Sequence, residues 1–490
     1  MLLSSLFSTL LVAAAPTAAL LPGLLGPSGR NDTRPMQHRL AYRPNGMSVG
    51  WSTYSQLPRP IVQYGENPLL LLRVATSNES VTYPTSSVWH NFVNLDNLRP
   101  NKKYFYRVWG DNTTYSFTTA RQAGDQAEFS VVGVVDMGTF GPLGLTDHTG
   151  TGAANPLAPG EVTTIQRLQQ IKDSYDFIIH PGDISYADAW LKELEQGFLT
   201  GYNVSDGVQL YEEINEEYFN EFQPISSVKP YLVAPGNHEA NCINTIYKGP
   251  PMYNESICPM GQTNFTGYIN RFRMPGSLGT NGALGNFWYS FNYGSAHFVM
   301  YDTETDLGVG RIGPEELGGS TGDNSGPFGK YMNQQLDWLK ADLASVNRSV
   351  TPWIIAAGHR PWYVASAAKS RCWVCQSAFE GLFNQYGVDL VFSGHAHFSD
   401  RNAPIANNVT DPNELNNPTA PWYITNGAAG HYDGLDTLVA PLPDYVRFAN
   451  DTLYTFSKLT FHNATHLTHD FISSATGQSI DSATLYKARS

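Results

Sequence analysis

Eight side chains with oxygen or nitrogen donors, Asp136, Asp183, Tyr186, Asn237, His238, His359, His395 and His397, stand directly after, or within four residues of, a short apolar run. The runs are FSVVGVV before Asp136, FIIHPG before Asp183 and Tyr186, PYLVAPG before Asn237 and His238, PWIIAAG before His359, and VDLVFSG before the pair in GHAH. Taken singly, such an Asp is a turn or helix-cap residue and such a His a satisfied structural imidazole. Five endings of this kind are a constellation. Carboxylate, imidazole, amide and phenol without a thiolate suit the harder ions iron, manganese and zinc, and the donors suffice for two ions sharing one carboxylate. His395 and His397, spaced i and i+2 at one strand end, can each face a different ion.

The elements that must position these residues follow from the alternation of the chain. After about residue 121, where the polar RQAGDQAE marks a boundary, apolar runs of strand length alternate with the helix-like VTTIQRLQQIK, LYEEINEEYFNEF, MNQQLDWLKADLA and SAFEGLFNQYG. That pattern predicts an α/β domain over 125–490, its sheets layered between helices. The carboxyl ends of strands in open α/β sheets form the ligand crevice, so five strands deliver donors to one edge. Over 31–120 the runs HRLAY, MSVGWST, PIVQYG, VWHNFVNL, KKYFYRVW and TYSFTTA, separated by Pro, Asn, Gly and Asp turns, predict an all-β sandwich. GVGRIG at 308–313 matches the dinucleotide-binding glycine string, but Pro314 and a Gly-rich stretch follow where that fingerprint needs a helix, so a loop is expected.

With 41% hydrophobic and 15% charged residues the 490-residue chain can bury large cores, and its length suggests two domains. A net charge of -13 with no Lys/Arg cluster argues against nucleic acid as a partner. The apolar 1–25, with small residues near its end, reads as a secretory signal, and no later segment is long and apolar enough to span a bilayer, so no membrane partner is expected. N-x-S/T sequons at Asn31, Asn78, Asn112, Asn203, Asn254, Asn264, Asn347, Asn408, Asn450 and Asn463 imply a secreted protein carrying N-glycans. In an oxidising compartment the four cysteines favour two disulfides, and the shortest loops pair Cys242 with Cys258 and Cys372 with Cys375.

The series DMG, GDISY, GNHE, the lone His of AAGHRPWY and GHAH, in that order, resembles the metallophosphoesterase superfamily, and Tyr186 within GDISYAD makes the chain similar to the purple acid phosphatases. The front sandwich resembles the fibronectin type III-like domain of the larger secreted fungal and plant members. YTFSKLTFHNATHLTHDFI, in a C-terminal strand region of about 421–490, resembles theirs. The resemblance implies a binuclear centre, Fe(III) plus a divalent iron, zinc or manganese ion. It assigns Asp136, Tyr186 and His397 to the ferric ion, Asn237, His359 and His395 to the divalent ion, and Asp183 to both. It implies a secreted acid phosphatase that hydrolyses phosphate monoesters, phytate among the candidates, by attack of a metal-bound hydroxide, with inorganic phosphate as product. His238, beside Asn237, is the catalytic candidate, as a phosphate hydrogen bond or general acid. An imidazole with an ordinary pKa near 6.5 is protonated in acid medium.

Two departures stand out. Val135 replaces the glycine that commonly precedes the first Asp of the family, and no histidine occupies RPWYVASAAKSRCWVC, where the plant members carry a His pair. Lys369, Arg371 and His431 are therefore the candidates for substrate contact. Two rival readings are a diesterase or nucleotidase with a non-iron metal pair, against which Tyr186 argues, and a catalytically silent secreted binding glycoprotein, against which the intact donor set argues.

Overall fold

The computed structural model describes residues 32–144, 157–158, 160–239, 258–276, 284–305, 334–366, 370–430 and 434–489. The segment 1–25, Asn31, Cys242, Asn254, the 308–313 string, Lys369 and His431 lie outside them.

The period-two runs of the first hundred residues form two four-stranded antiparallel sheets. One orders Met36–Arg43, Gly46–Thr53, Trp89–Leu95 and Ser80–Val81; the other orders Arg73–Thr76, Ile61–Gly65, Lys103–Val108 and Tyr115–Thr118. They pack as a sandwich, with the rings of His38 and Tyr115 4.8 Å apart across the gap and Val49, Trp51, Val62 and Tyr106 buried within.

Apart from the short hairpin of Ile405–Ala406 and Val409–Thr410, the remaining described strands build two larger sheets. In the first, Phe129–Gly133, Phe177–Pro181 and Tyr231–Ala234 run parallel, and Thr455–Phe461, His466–Ser473 and Ser479–Tyr486 extend it as an antiparallel meander. In the second, Ala296–Met300, Trp353–Ala357, Leu390–Ser393 and Trp422–Asn426 run parallel between antiparallel flanks. The parallel strands Phe177–Pro181, Tyr231–Ala234, Trp353–Ala357 and Leu390–Ser393 are buried throughout, as their largely apolar sequences lead one to expect. The two sheets face each other: the Phe392 ring lies where a side chain on Gly133 would stand, its Cζ 2.6 Å from an ideal Cβ there.

The helices are Thr164–Gln170, opened by a Thr163–Gln166 capping box, the long Gly207–Ser226, Gln334–Ser345 and Trp373–Tyr386, with shorter ones between. Trp373–Tyr386 starts at the Cys372–Cys375 disulfide and stops at Gly387, whose φ of 65° supplies the left-handed residue that ends a helix. Cys258 is also disulfide-bonded.

Sandwich and α/β core are joined by buried polar contacts. Tyr106 Oη donates to the Ser227 carbonyl at 2.8 Å, Arg39 Nε to the Arg271 carbonyl at 2.6 Å, and Tyr83 Oη to Glu212, which also pairs with Arg271 at 3.0 Å.

Candidate metal centre

All eight residues singled out from the sequence are brought together, but by two sheets rather than one edge. The strands ahead of Asp136, Asp183 and Asn237 belong to the first large sheet, and those ahead of His359 and His395 to the second. Loops at the carboxyl ends of the two sheets meet across the gap, His395 N donating to Asp136 Oδ2 at 2.7 Å.

Tyr186 Oη lies 2.9 Å from Asp136 Oδ1, 3.2 Å from Asp183 Oδ2 and 3.1 Å from His397 Nε2. On the other side of Asp183, its Oδ2 lies 3.1 Å from His359 Nε2, which in turn touches Asn237 Oδ1 at 2.9 Å. Asp183, His359 and His395 offer donor atoms all within 4.8 Å of one another. Asp183 is thus shared by two donor groups, one with Asp136, Tyr186 and His397, the other with Asn237, His359 and His395. Asp136, Asp183 and His359 are fully buried.

Four of these residues pay for their position in backbone conformation. Asp136, Asp183, Tyr186 and His395 take φ values of 58°, 53°, 52° and 65°, a left-handed region that non-glycine residues avoid and that clusters at functional sites. Each turn folds the chain back at the strand end so that the donor points into the gap between the sheets.

The electrostatics favour a cation. Burial pushes the Asp183 carboxyl up, but His359, His238 and the backbone N–H of His238 outweigh it and hold the group well below the usual carboxylate range. Burial opposes the charge on His359, yet Asp183 and Asp136 raise it to about 9. Burial and the Arg360 guanidinium drive His395 well below the ordinary imidazole range, which keeps it neutral. An anionic carboxylate, a neutral imidazole and a second imidazole whose proton a cation would displace are the states that metal binding needs. The donor set fits two ions: buried carboxylate, phenol and amide oxygens and ring nitrogens crowd together, the carboxylates met by the Tyr186 hydroxyl, imidazoles and backbone N–H groups, and metal ions would satisfy the remaining lone pairs at once.

Residues that the motif reading passed over hold this set in place. Glu239, the last residue of GNHE, accepts from Asp183 N at 3.0 Å, Ile184 N at 2.9 Å and Gly236 N at 2.6 Å, tying two ligand loops to one carboxylate. Asp188, two residues after Tyr186, meets His238 Nδ1 at 2.6 Å, while His238 Nε2 faces Asp183 Oδ2 at 3.9 Å. Arg360 donates from Nη1 to His395 Nε2 at 2.9 Å and pairs through Nε with Glu304 at 3.0 Å. Asp436 accepts from His397 N at 3.0 Å. For Glu239, Asp188 and Arg360 the available signal was a charge within a few residues of a donor in the same string, because a buried charge must find a partner. Of the substrate-contact candidates, Arg371 is engaged elsewhere: it donates to Gln376 and Asn408 and lies 3.6 Å over the Trp373 ring.

The chain is similar to known proteins along nearly its whole length. Residues 35–119 match the profile of the purple acid phosphatase N-terminal domain, 145–399 that of calcineurin-like phosphoesterases, and 420–482 that of iron/zinc purple acid phosphatase-like protein C. Acid phosphatase A of Cryphonectria parasitica is 43% identical over 482 residues, covering 93% of this chain and 92% of that one. An acid phosphatase of Aspergillus ficuum is 32% identical over 548 aligned positions, covering 91% and 86%. The solved purple acid phosphatase PPD1 from yellow lupin seeds shares the fold with a TM-score of 0.67 at 21% identity, covering 93% of this chain and 75% of that one. Matched in its front, central and C-terminal parts by these profiles and 43% identical to an acid phosphatase over nearly its whole length, this chain belongs to the purple acid phosphatase family.

Proposed function

We propose that this acid phosphatase, which hydrolyses phosphate monoesters at a binuclear metal centre, holds a ferric ion between Asp136, Tyr186 and His397. Asn237, His359 and His395 would hold a divalent iron, zinc or manganese ion, and Asp183 would belong to both ligand sets. The observation that carries this reading is the buried phenol oxygen of Tyr186, within 3.2 Å of two carboxylates and an imidazole. A phenolate is a hard anionic donor suited to Fe(III), with no evident purpose for a purely divalent pair. When bound, such a pair supplies Lewis-acid polarisation of the phosphate and a water acidified enough to attack phosphorus in acid medium.

The chain itself supplies position and a proton. Asp188 takes the Nδ1 hydrogen of His238 and so leaves Nε2 turned toward the metal cleft. Held in that orientation and protonated in acid, His238 donates from Nε2 to a phosphate oxygen and then to the leaving alkoxide. The protein is read as broad in its monoester substrates, phytate among them, and as secreted with N-glycans. Among the described sequons, Asn78, Asn112, Asn203, Asn264, Asn347, Asn408 and Asn463 are exposed and Asn450 is half-buried, which supports that reading.

Metal analysis and the visible spectrum of the purified enzyme test the ferric assignment. The expected result is a violet protein with iron and one divalent metal, whose colour and activity both fall in Tyr186→Phe. A colourless, iron-free and fully active enzyme overturns it and favours a non-iron pair.

A further inference from the structure

Several of the exposed large apolar side chains on the described surface stand beside sequons. On the sandwich, the edge strand Arg73–Thr76 pairs on one side only, and Leu72 and Val74 are 82% and 58% exposed. Asn78, exposed, follows the end of this strand by two residues. Trp109, 63% exposed, donates its backbone N–H to the Ile61 carbonyl, and Ile61 is in register with Thr76. Trp109 and the end of the edge strand therefore lie at the same end of one sheet, two strand spacings or roughly 10 Å apart. Asn112, also exposed, comes three residues after Trp109.

A second patch lies on the α/β core. The two-residue turn Asn407-Asn408, both at positive φ, joins strands Ile405–Ala406 and Val409–Thr410 and projects Val409, 69% exposed. Arg371 bridges this turn to Trp373: it donates to Asn408 Oδ1 at 2.9 Å and stacks at 3.6 Å on the indole, itself 62% exposed.

We infer that N-glycans on Asn78, Asn112 and Asn408 are the cover of these two apolar patches. The inference rests on the reading of the chain as a secreted glycoprotein and adds which sequons matter and for what. In the modification, the side-chain amide nitrogen forms a bond to the anomeric carbon of an oligosaccharide. The bond from that carbon to a lipid-pyrophosphate carrier breaks, the carrier leaves as its pyrophosphate, and the amide gives up one proton. From Asn78 the chain back to Leu72 spans at most about 20 Å, within reach of a branched sugar. Bare, an edge strand with open backbone groups and the exposed side chains of Leu72 and Val74 is a template for self-association; a hydrophilic sugar at its end blocks a second copy from laying down alongside.

The test uses the full enzyme secreted from a eukaryotic host, with glycopeptide mass spectrometry for occupancy, binding of a hydrophobic dye, and sizing by light scattering. Asn78, Asn112 and Asn408 are expected to be occupied. The triple variant Asn78→Gln, Asn112→Gln, Asn408→Gln is expected to bind more dye and shift to larger species while keeping phosphatase activity. Asn347→Gln, which removes a sequon with no large exposed apolar neighbour in its own stretch, serves as the control and should change neither. Should the triple variant fail to fold, endoglycosidase treatment of the folded wild-type enzyme gives the same readouts. Adding Leu72→Ser and Val74→Thr should suppress the association. Vacant sequons throughout overturn the glycoprotein reading itself. Occupancy with no change in dye binding or size, or an equal change in Asn347→Gln, overturns the inference while leaving that reading intact.

Discussion

Asp188 reaches the reaction only through His238, and its removal separates orientation from chemistry. Asp188→Asn keeps the shape but stabilises the imidazolium less, so the expected outcome is a kcat lower by about 10–100-fold with metal content unchanged. The alkaline limb of the kcat profile should move to lower pH; an unmoved profile would leave Asp188 a merely structural partner. Glu239 works on the metal side. An amide in Glu239→Gln offers one acceptor oxygen, where the two carboxylate oxygens accept from three backbone N–H groups. The expected loss is about 10–100-fold in metal affinity, read by titration with a competing chelator. Both residues stood inside strings that the sequence made conspicuous, GDISYAD and GNHE, as did every donor of the centre. Their partners were not legible, because which atom Asp188 or Glu239 meets is decided by loops from separate strands.

At the scale of elements, the strand-end turns are the vulnerable parts. Gly182 has a φ of 101°, and a Cβ there would stand 2.7 Å from Gly236 Cα and from His359 Nδ1. Gly182→Ala should therefore cost ~1–3 kcal/mol and loosen both donor groups through Asp183, seen as a lower melting temperature together with lower metal occupancy. A folded, fully loaded variant would show that the loops absorb the methyl. The strands and long helices were readable from apolar runs and 3.6-residue spacing. Their division between two facing sheets was not, because a buried strand has the same composition whichever sheet it joins. The clue to face-to-face packing was Gly133 within FSVVGVV, which leaves room for the Phe392 ring.

Across the whole molecule, buried ionisable groups couple stability to pH in opposite directions. Asp400 is fully buried; burial raises it to about 7 against the pull of donors such as Ala365 N and Asn402 Nδ2. Its raised folded pKa means that its contribution is full below the unfolded value near 3.9 and is lost as pH rises through about 7. His469 is buried against Ser457 and depressed to about 3 by burial and Arg401, so its contribution is full above an unfolded value near 6.5 and is lost as pH falls toward 3. Scanning calorimetry between pH 4 and 7 should find that Asp400→Asn removes part of the decline at the upper end. His469→Gln should remove part of the decline at the lower end, each pKa unit being worth about 1.4 kcal/mol. Parallel curves for wild type and variants would refute both assignments. By itself the sequence determined the two-part architecture and the eight strand-end side chains with metal-binding chemistry, because these rest on local periodicity and on short strings whose residue types fix what they can bind; the phosphatase chemistry came from the resemblance of those strings to a known family. Only the tertiary structure decided that the donors come from two facing sheets, that Asp188 and Glu239 brace them, and that Arg371 turns toward Trp373. Those facts depend on distances between residues far apart in the chain, which packing sets and composition does not.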